Sequence, residues 1–387
     1  MMIPYGRQNI SSADIQAVVD VLGSDFLTQG PAVPAFEAGV ADYCKTKYAI
    51  ATNSATSALH LACLALGVGF GDIVWTSPIT FVASANCALY CGAAVDFVDI
   101  NPDTFNICPE HLASKFEMAE RAGRLPKVLI PVHMCGQPCD MERIRGLADR
   151  YGCRIVEDAS HALGASYQNG EPIGNCLYSD MVVLSFHPVK MITTGEGGMV
   201  LTNDETLARR VRLLRSHGIT REPAGMVQEP DGLWYYEQVV LGFNYRMTDI
   251  HAALGLSQLG RLDQFVSDRR AVARRYNDLL EHTSIVTPLG HQISESAFHL
   301  YVVRIPGKIR RAVFNALRTA DIGVNVHYIP VYLQPYYRQL GFIPGLCPNA
   351  ELYYEEAISL PIFPAFSVDQ QDYVVRSLVT AVSGCTS

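Results

Sequence analysis

Lys190 sits where a lysine can act as a nucleophile. The apolar run from Met181 to Phe186 reads as a buried strand, and a glycine-rich turn (Gly195, Gly197, Gly198) closes the segment. Lys190 lies between them, flanked by Val189 and Met191. The chain has six lysines against twenty-four arginines, and the other five lysines fall in more polar stretches. In an apolar setting desolvation disfavours the ammonium ion, so the pKa falls and a neutral amine becomes available to condense with an aldehyde. The competing reading is a stem laid on apolar surface with its head in water.

Two further groups have types and spacing that suit chemistry. Asn53-Ser54 joins a predicted strand to a helix whose first turn, Ala55-Thr56-Ser57, is small and polar. Amides exposed at such a helix start suit a phosphate, or serve plain N-capping. Val156-Glu157-Asp158-Ala159-Ser160-His161 ends another strand with two adjacent carboxylates, which strand geometry points to opposite faces. A lysine that holds an aldehyde, a carboxylate that keeps a pyridine nitrogen protonated and a phosphate cradle are together what pyridoxal phosphate requires. Alone, Glu-Asp after a strand also fits an acid pair, a metal ligand or a cap.

The elements that must position these residues follow from periodicity. Strands are predicted at 48–52, 73–76, 94–98, 127–133, 154–157, 181–186 and 199–201. Helices are predicted at 11–22, 55–66, 81–90, 109–122, 141–151 and 205–217. This alternation implies an α/β fold with a mostly parallel sheet covered on both faces, whose ligands bind beyond the carboxyl ends of the strands. The chemistry-bearing residues all fall at such ends. Residues 221–247 read as a loop, and 248–282 as two helices or one kinked at Gly260. From about residue 265 the pattern changes to a smaller α+β unit, with a strand at 298–305, a helix at 310–319, a short strand at 324–327 and a last helix at 370–382. The expected division is therefore 1–264 and 265–387.

Composition narrows the function classes. With 387 residues, 49% hydrophobic content and a net charge of −8, the chain describes an ordinary globular protein, and its acidity argues against nucleic acid. No signal-peptide pattern and no bilayer-length apolar run is seen, so no membrane association is expected. Eleven cysteines without such a leader suit reduced thiols in the cytoplasm. His133, Cys135 and Cys139 match no strong zinc spacing, and no metal is expected. No G-x-G-x-x-G follows the first strand, which argues against a nicotinamide dehydrogenase.

Taken together, the motifs resemble a known family. LTQGP at 27–31, NSATSAL at 53–59, ITFVASAN at 79–86, EDASHALGA at 157–165, SFHPVKMITTGEGG at 185–198, NYRMTDI at 244–250 and VHYIPVY at 326–332 occur in one order. They resemble the DegT/DnrJ/EryC1/StrS group of pyridoxal-phosphate-dependent nucleotide-sugar aminotransferases, of the fold-type I architecture. The likeness runs over roughly residues 3–380. His187, His161, RSHGITR at 215–221 and VHYIPVY carry a finer likeness, to members that act in pseudaminic acid biosynthesis; many others have Phe or Tyr at the first position and Gln at the second.

The resemblance implies that Lys190 holds the cofactor aldehyde and Asp158 pairs with the pyridine nitrogen. Phe81 would stack on the ring and His161 would lie near its hydroxyl. Ala55, Thr56 and Ser185 would hold the phosphate, and Asn244 would reach the phosphate in a neighbouring subunit, making the active unit a homodimer. Tyr5, Asp25, Phe26, Leu27, Thr28, His187, Val326, His327, Tyr328 and Ile329 would contact the nucleotide sugar. The implied reaction moves an amino group from L-glutamate, which leaves as 2-oxoglutarate, to C4 of UDP-2-acetamido-2,6-dideoxy-β-L-arabino-hex-4-ulose. Within the family a different 4-keto or a 3-keto acceptor is the alternative. Related dehydratases have histidine in place of the lysine, and regulatory members would lack it or carry a DNA-binding segment; neither pattern is present. The glycines after Lys190 are expected to serve packing.

Overall fold

The predicted alternation builds one seven-stranded sheet in the computed structural model, which describes residues 2–289 and 295–386. In chain order the elements are α1 (Ser12–Leu22), α2 (Ala32–Cys44), β1 (Tyr48–Thr52), α3 (Ala55–Ala65), β2 (Ile73–Thr76), α4 (Ala83–Tyr90) and β3 (Ala94–Phe97). Next come α5 (Pro109–Arg121), β4 (Val128–Ile130), α6 (Met141–Tyr151), β5 (Arg154–Asp158), β6 (Met181–Ser185), β7 (Gly198–Thr202) and α7 (Glu205–Arg215). The sheet order is β1-β7-β6-β5-β4-β2-β3. β7 runs antiparallel to both its neighbours, and the remaining pairs are parallel. The mostly parallel α/β expectation therefore holds.

Strand alternation sends side chains to two cores. Ala49, Ala51, Trp75, Leu129, Ile155, Val182, Leu184 and Leu201 pack under α2, α5 and α6; Ile50, Val74, Phe97, Ile130, Val156, Val183 and Val200 pack under α3, α4 and α7. Helix α2 is an element that sequence reading missed, because Gly30-Pro31 reads as a turn. Pro31 is the N-cap, and Val33, Phe36, Val40 and Cys44 form the buried stripe at helical spacing.

Beyond the sheet, the long loop carries two short paired strands, β8 (Ile219–Thr220) and β9 (Glu237–Gln238). The predicted helical stretch is two helices, α8 (Asp249–Leu259) and α9 (Leu262–Leu280), separated at Gly260. Leu262, Phe265 and Val266 of α9 join the sheet core, while Val272, Ala273, Tyr276 and Leu280 join a third cluster. That cluster is built on β10 (Tyr301–Arg304), α10 (Gly307–Thr319), β11 (Ala357–Leu360) and α13 (Val368–Thr386). Two short helices, α11 (Pro335–Gln339) and α12 (Pro348–Glu356), pack between it and the sheet and were not predicted. The strand expected at 324–327 is not formed; a single bridge, Asn325 to Ser359, takes its place. Ile3 pairs with Ile322, and this contact carries the N-terminal segment to the end of the sheet.

No described helix is long and apolar enough to cross a membrane.

Candidate active site

Register explains how distant residues meet. Gly198 starts β7 opposite both Thr52 of β1 and Ser185 of β6, so the turn into α3 lies beside the end of β6. A side chain at 198 is impossible: a Cβ there would lie 2.4 Å from the Ala55 amide nitrogen. The glycine keeps the helix start open against the strand ends. Gly195, at φ +83°, is the left-handed turn that returns the chain from Lys190. Ser54 caps α3 by accepting from the Ser57 amide at 3.1 Å, and Ser57 donates to Asn53 at 2.6 Å. The Ala55 and Thr56 amides precede the first helical hydrogen bond and lie along a cavity of about 690 Å³.

The loop that carries Lys190 is pinned at both ends. Phe186 donates to Gly197 and accepts from Thr194 and from the Thr193 hydroxyl, and the Lys190 amide closes a turn onto His187. Burial of Phe186 against Phe36 anchors it below. The half-buried Lys190 side chain lines the cavity, and desolvation brings its pKa down to about 8, with Asp158 opposing the shift.

The two carboxylates at the end of β5 do point apart. Glu157 faces the core, where it accepts from Ser179 (2.5 Å), Tyr167 (2.7 Å) and His133 (2.7 Å). The other His133 nitrogen accepts from the Cys139 amide, so His133 and Cys139 serve this network. Asp158 lines the cavity, held by the Ser84 hydroxyl at 2.6 Å and the Ser160 amide at 3.1 Å. Thr80 donates to Ser84 in turn, because the Ser84 proton is committed to the carboxylate.

Two buried histidines, His161 and His327, line the floor, with His299 packed behind His161, and desolvation followed by the nearby Lys190 lowers all three pKa values. His327 falls to about 4. Its Nε2 faces the Asn325 amide nitrogen, so it accepts there and donates from Nδ1 to Ser359 at 2.8 Å. His161 falls well below the usual range; its ring lies 4.3 Å from that of His299, and its Nε2 meets the Tyr328 hydroxyl at 3.4 Å. Among the described residues, His161 Nδ1 has no hydrogen-bond partner and is buried. Phe81 precedes α4 rather than opening it, because the helix starts only at Ala83, and this leaves its ring more than half exposed over the cavity.

Of the residues singled out from sequence, Tyr5, Ala55, Thr56, Phe81, Asp158, His161, Ser185, His187, Lys190, Val326, His327, Tyr328 and Ile329 line this one cavity. Asp25, Phe26, Leu27, Thr28 and Asn244 do not. The first four lie on an exposed loop that Asp249 fixes by accepting from the Gly30, Ala32 and Val33 amides. Asn244 is exposed and bridges to Ser216. Sequence reading missed Ser84, His299 and Asn325. Ser84 stood within ITFVASAN, one helical turn after Phe81, and that spacing was the available signal.

This arrangement fits pyridoxal phosphate. A lysine of depressed pKa, a carboxylate with unfilled acceptor capacity, a helix start kept open by Gly198 and an unpaired buried imidazole nitrogen converge on one cavity.

The comparisons agree. The DegT/DnrJ/EryC1/StrS aminotransferase family model matches residues 8–379. The chain is 38% identical to the spore coat polysaccharide biosynthesis protein SpsC of Bacillus subtilis, covering 99% of this chain and 97% of SpsC. It is 37% identical to a UDP-4-amino-4,6-dideoxy-N-acetyl-β-L-altrosamine transaminase of Campylobacter jejuni, covering 97% and 96%. Helicobacter pylori PseC, an aminotransferase of pseudaminic acid biosynthesis, superposes with a TM-score of 0.90 at 30% identity over 99% of this chain and all of PseC. Structures of the same fold are known in forms with pyridoxal and with pyridoxamine phosphate. The chain belongs to the DegT/DnrJ/EryC1/StrS family and is a fold-type I, pyridoxal-phosphate-dependent sugar aminotransferase.

Proposed function

We propose that this enzyme transfers the amino group of L-glutamate to C4 of a UDP-linked 4-keto-6-deoxy sugar, UDP-2-acetamido-2,6-dideoxy-β-L-arabino-hex-4-ulose. The observation that carries this reading is the pairing of His161 and His187 in one cavity with the 326–329 segment, the residues that mark the finer likeness. When bound, the cofactor supplies an electron sink for the carbon acid of the amino donor.

The chain's own residues do the rest. Lys190 would hold the cofactor through its amine and, once the amino donor is bound, would move a proton at the donor α-carbon. As a general acid–base its share is about 10²–10⁴-fold. In the second half-reaction Lys190 delivers that proton to the sugar carbon, and the face it serves sets the product's stereochemistry. Asp158 would pair with the pyridine nitrogen; Ser84 fixes its carboxylate in place by donating to it. Phe81 covers one ring face. His161 offers its unpaired nitrogen to the ring hydroxyl, and Ala55, Thr56 and Ser185 take the phosphate. Tyr5, His187 and residues 326–329 contact the nucleotide sugar.

Asn244 and the loop Asp25 to Thr28 act across a homodimer interface, a reading supported by their exposure outside their own cavity. Eleven free cysteines support a cytoplasmic location.

The test is turnover with glutamate against a panel of UDP-keto-sugars, with the product's stereochemistry read by NMR. Amination of the L-arabino 4-keto sugar supports the reading. Turnover confined to another 4-keto or a 3-keto sugar overturns it, and the likeness to SpsC makes that the specific rival.

A further inference from the structure

Tyr328 and His161 come from distant parts of the chain and meet on the wall of the cofactor cavity. The Tyr328 ring lies 6.3 Å from the His161 ring at an angle of 22°, and 6.4 Å from that of Phe81. Its hydroxyl oxygen is 3.4 Å from His161 Nε2, its one hydrogen-bond partner among the described residues. His161 also packs against His299, with ring centroids 4.3 Å apart. The His299 backbone is anchored in turn, since its carbonyl and that of Phe298 each accept from the buried Arg269 guanidinium at 3.2 Å. The His161 ring is thus held with one nitrogen against a phenol and the other buried with no partner among the described residues. Contact with a sugar does not account for a tyrosine hydroxyl committed to a histidine.

We infer that Tyr328 is a positioning residue for the cofactor: its hydroxyl donates to His161 Nε2 and so fixes the imidazole as the tautomer whose proton is on Nδ1. This rests on the reading above that the unpaired His161 nitrogen meets the cofactor's ring hydroxyl. A neutral imidazole has one N–H and one bare nitrogen. A half-buried phenol places its proton on an acceptor, and the acceptor within reach of Tyr328 is His161 Nε2. Nδ1 must then carry the imidazole proton, which makes it a donor. An ionised ring oxygen is the acceptor that such a donor lacks. The opposite tautomer would leave Nδ1 bare and the Tyr328 proton without an acceptor among the described residues.

The surroundings keep both groups in the protonation states this requires. Desolvation first, then Lys190 and His327, hold His161 well below the usual imidazole range. His299 is held down in the same way, so the stacked pair carries no charge at neutral pH. Desolvation first, then Cys135, Tyr5 and Asp158, raises the Tyr328 phenol, which therefore keeps its proton to donate.

The first readout needs no cofactor. In the full-length, cofactor-free protein with nitrogen-15 histidine, the NMR signals that His161→Gln removes should show a protonated Nδ1 and a bare Nε2 at pH 7.5. Tyr328→Phe should move that population toward the Nε2–H form. The second readout is the pH titration of the lysine-linked cofactor's absorbance in the holoenzyme. Without the His161 donor, the ring oxygen keeps a firmer hold on the proton it shares with the lysine nitrogen. Tyr328→Phe and His161→Ala should therefore each raise the midpoint, by up to about one unit. His161→Gln brings its own N–H and needs no fixed tautomer, so adding Tyr328→Phe to it should move the midpoint by less than about 0.3 units. A protonated Nε2 in the parent, a tautomer unchanged by Tyr328→Phe, or an equal midpoint rise in the parent and His161→Gln backgrounds overturns the inference. A midpoint unmoved by His161→Ala overturns the ring-hydroxyl reading of His161 as well, and the tautomer readout tells the two failures apart.

Discussion

Glu157 and Asp158 are neighbours on one strand, and the two faces of the sheet treat them differently. Glu157 is fully buried and accepts three hydrogen bonds, from Ser179, Tyr167 and His133, each donor coming from a different segment. Asp158 accepts one hydroxyl and one amide and turns its remaining capacity to the cavity shared with Lys190. A carboxylate whose donors all come from the protein is spent on holding segments together. One left partly unfilled beside a desolvated amine is arranged for a ligand. Substitution should separate these two roles, one in turnover and the other in stability.

The largest effect belongs to the open side. Lys190→Ala should lower turnover by at least ~10⁴-fold, the upper range of proton-transfer catalysis. It should also remove the absorbance of the lysine-linked cofactor while far-UV circular dichroism stays unchanged. Turnover within tenfold of the parent would exclude Lys190 as the proton carrier.

Asp158→Asn should come next, with kcat down about 10²–10³-fold and midpoints of thermal unfolding close to the parent's, since the amide keeps the volume and accepts from Ser84. Glu157→Ala should invert the pattern. It strands three buried donors, so urea unfolding should show a loss of about 3–5 kcal/mol, and the fraction that remains folded should keep near-parental kcat. If Glu157→Ala lost kcat without losing stability, the division between the faces would be wrong. Ser84→Ala is milder: Asp158 loses its shortest donor, and kcat should fall about tenfold, the weight of one hydrogen bond to a charged group of ~1.5 kcal/mol.

The legibility of the site divides in the same way. Lys190, Asp158 and the start of α3 were readable because each follows the end of a short continuous apolar run, and in a parallel sheet strand ends share one edge. Ser84 was not, because its role depends on α4 beginning at Ala83 and turning that hydroxyl toward a strand 74 residues later. His299 and Asn325 come from the C-terminal part, and no local pattern states which end of the sheet that part covers. Asp25 to Thr28 and Asn244 were identified from likeness alone, and a single chain leaves them outside the cavity for the same reason: nothing local sends them inward. Helix α2 hid behind Gly30-Pro31, although its stripe of Val33, Phe36 and Val40 was in plain order. The fold was thus legible where periodicity is local, and the site only where it hangs from strand ends.

The smallest effect tests the electrostatic half of the comparison without any substrate. In the cofactor-free protein the Lys190 pKa is lowered from 10.5 to about 8, desolvation being the main cause. Between these values the unfolded chain carries a proton that the folded chain does not, so stability rises with pH across that window. Below pH 8 both states are protonated, and the folded state bears the full cost of a charged amine in a half-buried site. Lys190→Met removes that cost. The variant should therefore exceed the parent in stability at pH 7, and the gap should narrow from pH 8 to 10.5 by at most about 1.4 kcal/mol per pH unit. Chemical denaturation of the two cofactor-free proteins at pH 7, 8, 9 and 10 reads this directly. A gap that stays constant over the series would mean the amine is as well solvated when folded as when unfolded, and Lys190 would then owe its reactivity to Asp158 and the cofactor rather than to its apolar surroundings.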